Sequence, residues 1–496
     1  MSYFDRPNAD FSGVNLFVYF YAIILAFFNV IRVFDNCFWG DELFSINLAH
    51  MNFIDLINAT ANDVHPPLYY IILRISSLVF GFYPSLYHLV SVVPYIIVVL
   101  FSISFIRKKI GNWGTLIFIS IISLSEQAVK YNVEVRMYSL AATFVLFSFY
   151  SLLKIMETGK GYVCFIITAL AAAYTHYYAL LSVSFFYLAI LFYAFSKKEF
   201  ISILLVCIFS ILLYVPWLAH FLSAYQRTSN GFWITAFPSV IDSFFYFFGE
   251  SKRWYTILML LITIYPVLEF LYNKIHNILT KYSCFDGRTN LRSFFSYIFL
   301  HNSSSVFFSC SIYGIFAGFG TIFVAELVCY LVRPLFILRY LYPLTAVILL
   351  VCCINISKYK IIFLFSPLIL ILTLFTYIPE YKSVYRSDKF IYSQTDNTIN
   401  IIKSYVDNND EFITNESHFS WNVLEYYFQN SKVKLITNGQ FNLNRSQFNK
   451  WLFWIDNLSS EEIDNLRSNG FIAKKILNDA NLDCYKFKFY KLEYVE

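Results

Sequence analysis

The chain has 496 residues, of which 58% are hydrophobic and 21% aromatic but 14% charged, against roughly 25% charged in an ordinary soluble domain. That balance excludes a water-soluble fold for most of the chain, and a formal net charge of +5, gathered in a few short loops, excludes a nucleic-acid-binding face. The nine cysteines follow neither metal nor disulfide spacing; Cys164, Cys207, Cys310, Cys329, Cys352 and Cys353 lie in or beside apolar runs, where a thiol behaves as a small hydrophobe.

A helix that crosses a bilayer needs about 20 mostly apolar residues, and runs of that kind recur from residue 14 to residue 378. The first, Val14 to Val33, follows a weakly charged segment (Asp5, Arg6, Asp10) and has no small-residue cleavage site, so it reads as a retained anchor with a cytoplasmic N-terminus. Next come Phe38-Trp39-Gly40-Asp41-Glu42-Leu43, an amphipathic helix over Ser45 to Asn58, and Asp63-Val64-His65-Pro66-Pro67-Leu68-Tyr69-Tyr70. Leu68 to Phe80 is apolar but too short for a full span, which suits an interfacial or re-entrant helix. Further spans are predicted near 86–106, 113–130, 136–155, 161–175, 177–196, 200–219, 254–273, 306–331, 340–356 and 359–378, about eleven in all.

With Leu68 to Phe80 not crossing, Arg107-Lys108-Lys109, Lys154 with Lys160, Lys197-Lys198, Lys274 to Arg292, and Lys358 with Lys360 all fall inside, as the positive-inside rule asks. Residues 34–65, the turn around Glu134 and Arg136, the turn at His176 and the loop from His220 to Arg253 then fall outside. After Tyr377 charged residues rise to about a quarter, the level of a soluble domain. The predicted organisation is therefore a transmembrane domain over 1–380 and an external α/β domain over 381–496. The latter has strands at Glu411–Thr414, Val433–Thr437 and Trp451–Asp456 and helices at Phe419–Gln429 and Ser459–Ser468. No internal repeat, low-complexity tract or glycine-rich phosphate loop is present.

The residues that bear chemistry collect on the predicted outer face. Asp41 and Glu42 are adjacent acids near a lipid–water boundary, where a carboxylate is costly to keep; the plainer alternative is a solvated pair flanking a helix. His65 and Tyr69 enter a short apolar helix behind two prolines, where a histidine taken alone is more often a hydrogen-bonded structural residue than a ligand. In Tyr131-Asn132-Val133-Glu134-Val135-Arg136-Met137-Tyr138, Arg136 runs against the positive-inside bias. It serves either as a snorkelling anchor paired with Glu134 or as a phosphate clamp, since a guanidinium meets phosphate oxygens in bidentate fashion. Thr175-His176-Tyr177-Tyr178 and Arg333-Pro334 with Arg339-Tyr340-Leu341-Tyr342-Pro343 complete the set. The tyrosines are ordinary for a membrane belt, whereas Arg136, Arg333 and Arg339 would put a positive field around Asp41 and Glu42.

Taken in order, Asp41-Glu42, His65-Pro66-Pro67-Leu68-Tyr69-Tyr70, Glu134-Val135-Arg136-Met137-Tyr138, Thr175-His176-Tyr177 and Arg339-Tyr340 resemble the motifs of GT-C-fold glycosyltransferases of the protein O-mannosyltransferase and aminoarabinose-transferase type, over about residues 14 to 380. Val135 departs from the small residue frequent there, and the C-terminal domain does not align. The resemblance implies inverting transfer from a polyprenyl-phosphate sugar to a glycan, lipid or protein acceptor, at the periplasmic or extracellular side of the plasma membrane. Asp41 would be the base, with Glu42 assisting, and His65, Tyr69, Glu134, Arg136, Tyr138, His176, Tyr177, Arg333 and Arg339 would bind substrate. No cofactor is called for; Asp41, Glu42, His65 and His176 are reasonable ligands for a divalent ion, but their spacing matches no metal motif. Three other readings compete, of which the third, a purely structural membrane scaffold, leaves the outer motifs unexplained. A lipid-sugar transporter or flippase would place charges at the bilayer midplane, and a lipid-linked glycan polymerase or ligase would need outer arginines without the paired acids.

Overall fold

The computed structural model describes residues 12–281 and 306–495, apart from 36, 198–199, 232, 250–251, 417–418, 437–439, 442, 444–447 and 483–484. Lys198, the basic loop from residue 282 to Arg292, and Thr437 of the second predicted strand lie outside the described residues. Among those described, seven stretches are long and apolar enough to cross a membrane: Leu16–Phe34, Pro84–Leu124, Tyr138–Thr158, Tyr177–Ala194, Ile203–Ser229, Ser311–Leu331 and Leu338–Lys358. By the length and composition of its helices the chain is a multi-pass membrane protein. It divides into two compact units, one made of residues 1–32, 54–72 and 89–382 and the other of 33–53, 73–88 and 383–496.

The N-terminal half runs through α1 (Ser12–Val30), α2 (Gly40–His50), α3 (Phe53–Ala61), α4 (Leu68–Phe80), α5 (Pro84–Phe101), α6 (Arg107–Leu124) and α7 (Glu126–Tyr131). It continues with α8 (Tyr138–Thr158), α9 (Tyr162–Ala173), α10 (Tyr177–Lys197) and α11 (Phe200–Asn230). The single helix expected over Ser45 to Asn58 is two helices. Glu42 reaches back to the backbone N–H of Trp39 at 3.2 Å, which starts α2 earlier, and Met51, at ψ 158°, ends it before α3. The Pro84–Leu124 run, at 41 residues, is about twice what one crossing needs. It breaks at Gly111, whose φ of 68° and ψ of −175° suit glycine alone, beside the Arg107-Lys108-Lys109 cluster. The span predicted over 113–130 also ends early, because Ser125 leaves the helix and its hydroxyl accepts from the N–H of Ala128 to cap α7.

The rest of the first unit holds α12 (Val240–Tyr246), α13 (Arg253–Lys281), α14 (Val306–Leu331), α15 (Tyr342–Lys358) and α16 (Lys360–Leu364). Apolar on every side, α15 is 94% buried over its membrane-length window, enclosed by α6, α8, α13 and α14. Close approach comes from small residues: a Cβ on Gly314 of α14 would sit 2.4 Å from Val351 Cγ2 of α15. Asn355 of α15 pins three helices together, donating to the carbonyls of Ile262 (3.1 Å) and Thr263 (3.0 Å) and accepting from Ser311 Oγ at 2.7 Å. Helix α17 (Ser366–Lys403) is continuous through Tyr377 and Pro379, and the division between the two units falls within it, after Lys382.

The second unit contains a five-stranded sheet of order β2-β1-β3-β5-β4, made of β1 (Glu411–Thr414), β2 (Lys432–Leu435), β3 (Lys450–Ile455), β4 (Phe471–Leu482) and β5 (Tyr485–Tyr494). Strand β1 runs parallel to β2 and β3, and β5 antiparallel to β3 and β4. Central β3 is a continuous apolar run because both its faces are covered, and Leu452 and Trp454 pack with Ile413, Leu466 and Phe471. Helices α18 (Phe419–Tyr427) and α19 (Ser460–Ser468) complete it, α19 opening on a capping box of Ser459 and Glu462. Within this unit α2 packs on α18, with Asn47 Nδ2 donating to Asn422 Oδ1 at 3.1 Å.

Candidate functional site

In the first unit, chain entry to α4 is fixed by a proline pair and by Arg227 of α11, whose Nη2 donates to the carbonyls of Ala61 (3.0 Å) and Asp63 (3.1 Å). This holds His65 at the mouth of the bundle. Its Nδ1 meets Asp63 Oδ2 at 2.9 Å, and its Nε2 faces Arg136 Nη2 at 3.4 Å. Arg136, 3% exposed, also donates from Nη1 to the hydroxyl of Tyr70 at 3.3 Å. A tight turn orients it, its backbone N–H reaching the carbonyl of Glu134 at 2.6 Å. Tyr69 serves one step back: its hydroxyl lies 2.9 Å from Ser91 Oγ, which in turn reaches the Arg136 carbonyl at 3.3 Å.

His176, buried in the turn between α9 and α10, joins the same cluster. Its ring stands 6.3 Å from that of His65, 5.6 Å from Tyr138 and 5.5 Å from Tyr340. Burial, reinforced by the nearby charges of His65, Arg136 and Arg339, holds its imidazole well below the usual 6.5, so it is neutral at pH 7. Nδ1 accepts from the N–H of Tyr178 at 3.2 Å, which leaves the proton on Nε2. Asp63 behaves oppositely. Burial opposes its ionisation, but His65, the Val64 backbone and Arg136 outweigh that and hold its carboxyl below the usual carboxylate range. The hydroxyl of Tyr138 is buried beside this cluster with no hydrogen-bond partner among the described residues.

From the cluster a cavity of about 410 Å³ runs between α10, α11 and α14, with His65, His176 and Tyr340 at its polar end and apolar side chains such as Leu181, Phe221 and Val328 along its length. Tyr177 lines it too, though its hydroxyl is taken by the indole N–H of Trp217 at 3.2 Å. Of the predicted residues, His65, Arg136, Tyr138, His176 and Arg339 therefore gather here, with Tyr69 and Glu134 supporting Arg136. Arg333 lies half-buried in the irregular stretch after α14. Asp63, Tyr70 and Tyr340 have roles that residue type and position did not reveal.

Asp41 and Glu42 belong to the second unit, and their side chains have different surroundings. Glu42, 1% exposed, caps α2 and lies 3.9 Å from Nδ1 of buried His88, whose ring stacks on Phe38 at 5.0 Å. Asp41, in the first turn of α2, is half-buried, and a carboxylate there is favoured by the helix dipole. Among the described residues no group of three or more His, Cys, Asp or Glu side chains is arranged to hold a metal ion. No protein-family model matches the chain, and no curated protein is significantly similar to it.

Proposed function

We propose that the chain is an inverting glycosyltransferase that takes its sugar from a polyprenyl-phosphate carrier at the non-cytoplasmic face of the plasma membrane and passes it to a glycan, lipid or protein acceptor, on a GT-C-like scaffold of about eleven spans. The observation that carries this reading is an apolar cavity of about 410 Å³ whose polar end is formed by His65, His176 and Tyr340, next to buried Arg136. That combination matches an amphiphile with a phosphate head and an isoprenoid tail, because a guanidinium meets phosphate oxygens in bidentate fashion and apolar walls take up the tail.

In this mechanism the Asp63–His65–Tyr70 network positions Arg136, and Arg136 with the Nε2–H of His176 takes up the charge that builds on the departing phosphate. Removing one such donor typically costs about 10²–10³ in rate. Asp41 is the base that the resemblance assigns: it takes the proton of an acceptor hydroxyl as that oxygen attacks the anomeric carbon and the lipid phosphate leaves. Glu42, engaged in capping α2, is assigned no proton. The test is sugar transfer from labelled polyprenyl-phosphate sugars by purified protein. Asp41→Asn should retain donor binding and lose transfer by about 10²–10⁴-fold; undiminished transfer would remove Asp41 from the mechanism.

A further inference from the structure

The second unit contains a cavity of its own, about 300 Å³, at the lower end of the roughly 300–1,000 Å³ usual for small-molecule sites. His50 at the end of α2, Phe82 and Tyr87 around the start of α5, Lys403 closing α17, and Tyr426 and Tyr427 of α18 wall it. The aromatic groups are fixed against one another. The His50 ring lies 4.5 Å from Phe82, its Nε2 is 3.0 Å from the Tyr87 hydroxyl, and Tyr426 stands edge-on to Tyr427 at 4.8 Å.

Positive charge borders these rings. Lys403 Nζ is 5.7 Å from the centre of the Tyr427 ring, and the guanidinium of Arg74 is 5.7 Å from that of Phe82, held there by a 2.8 Å hydrogen bond from Nη1 to the Ala49 carbonyl. Among the described residues no carboxylate lines the cavity, the acid felt by a lining side chain being Glu42, which acts on the Tyr427 hydroxyl. Burial and the charge of Arg74 keep His50 below its usual value, so at neutral pH it acts as a hydrogen-bonding group while Lys403 and Arg74 supply the charge. Flat aromatic faces suit the C–H side of a pyranose ring, polar tips suit its hydroxyls, and cations outnumbering acids at the walls select an anion.

We infer that this cavity binds an acidic saccharide, a sugar bearing a carboxylate or a phosphate. That such a sugar is the acceptor rests on the glycosyl-transfer reading; the binding itself does not. The experiment is ligand-observed saturation-transfer NMR on the full-length protein in lipid nanodiscs, with glucuronate, glucose 6-phosphate, glucose and inorganic phosphate as probes. Glucuronate and glucose 6-phosphate should bind at least tenfold more tightly than glucose or phosphate alone. Lys403→Gln should weaken both acidic sugars about tenfold and leave glucose unchanged, and Phe82→Ala should weaken all three sugars; both side chains are exposed, so these variants keep the fold. Equal binding of glucose and glucose 6-phosphate, inorganic phosphate binding as tightly as the sugars, or wild-type affinity in either variant would overturn the assignment. Because binding is read without turnover, failure of transfer by Asp41→Asn leaves this result untouched, and failure here leaves the donor site standing.

Discussion

Arg136 is held by the Tyr70 hydroxyl and the His65 imidazole, and His65 in turn by the Asp63 carboxylate. Each group orients the next, so the guanidinium is aimed before any ligand arrives. Asp63→Asn removes the charge that fixes His65 and should lower stability by about 1–3 kcal/mol, read as a lower unfolding midpoint in detergent. Two of the shifted groups, Asp63 and His176, act on the acid side of the stability profile. With its folded pKa depressed, Asp63 contributes stability that is full above the usual carboxylate range and is lost as pH falls through the lower folded value. His176, also depressed, leaves the unfolded chain binding the extra proton below pH 6.5, so stability falls as pH drops from there toward the folded value. Through His176 the unfolding midpoint should decline between pH 7 and pH 5, against an opposite contribution from Glu380, whose carboxyl burial pushes up to about 7. His176→Asn, which keeps an acceptor for the Tyr178 N–H, should flatten that decline; an unchanged slope would remove His176 as its source.

Among the elements, the break at Gly111 parts what would otherwise be one over-long helix, and its backbone conformation is closed to side chains. Gly111→Ala should cost roughly 1–3 kcal/mol although nothing lies within 4 Å of the added methyl, so loss of thermal stability with no change of packing is the expected signature. Apolar helices were legible, α4 and α14 to the residue, because a run of apolar residues with polar, glycine or proline positions at its ends suffices to mark them. Strand β1 was equally legible, bounded as it is by polar turns. Strands β4 and β5 were not recognised. In β5 the alternation Lys486-Phe487-Lys488-Phe489 carries the strand period, but in β4 register shifts between Lys475 and Leu477 and again before Ala480 disturb it. The site was legible in part for the same reason. His65, Arg136, His176 and Arg339 are polar residues at the ends of apolar runs, whereas the ion pair of Asp63 and the cavity depend on which helices pack together, which periodicity does not encode.

For the whole molecule, the proposal requires one sidedness. In a cysteine-free background, single cysteines at the exposed positions Lys130 and His50 should react with an impermeant maleimide from outside intact cells. A cysteine at exposed Lys160 should react after permeabilisation alone. Labelling of Lys130→Cys solely after permeabilisation would place the Arg136 turn on the cytoplasmic side and end the reading. The most direct measurement is equilibrium binding of labelled polyprenyl-phosphate sugars to the purified protein in nanodiscs, compared between wild type and Arg136→Gln. The account predicts saturable binding of at least one such sugar, weakened tenfold or more in the variant, with competition by the bare polyprenyl phosphate. Binding that is absent across the panel, or equal in the two proteins, would contradict it.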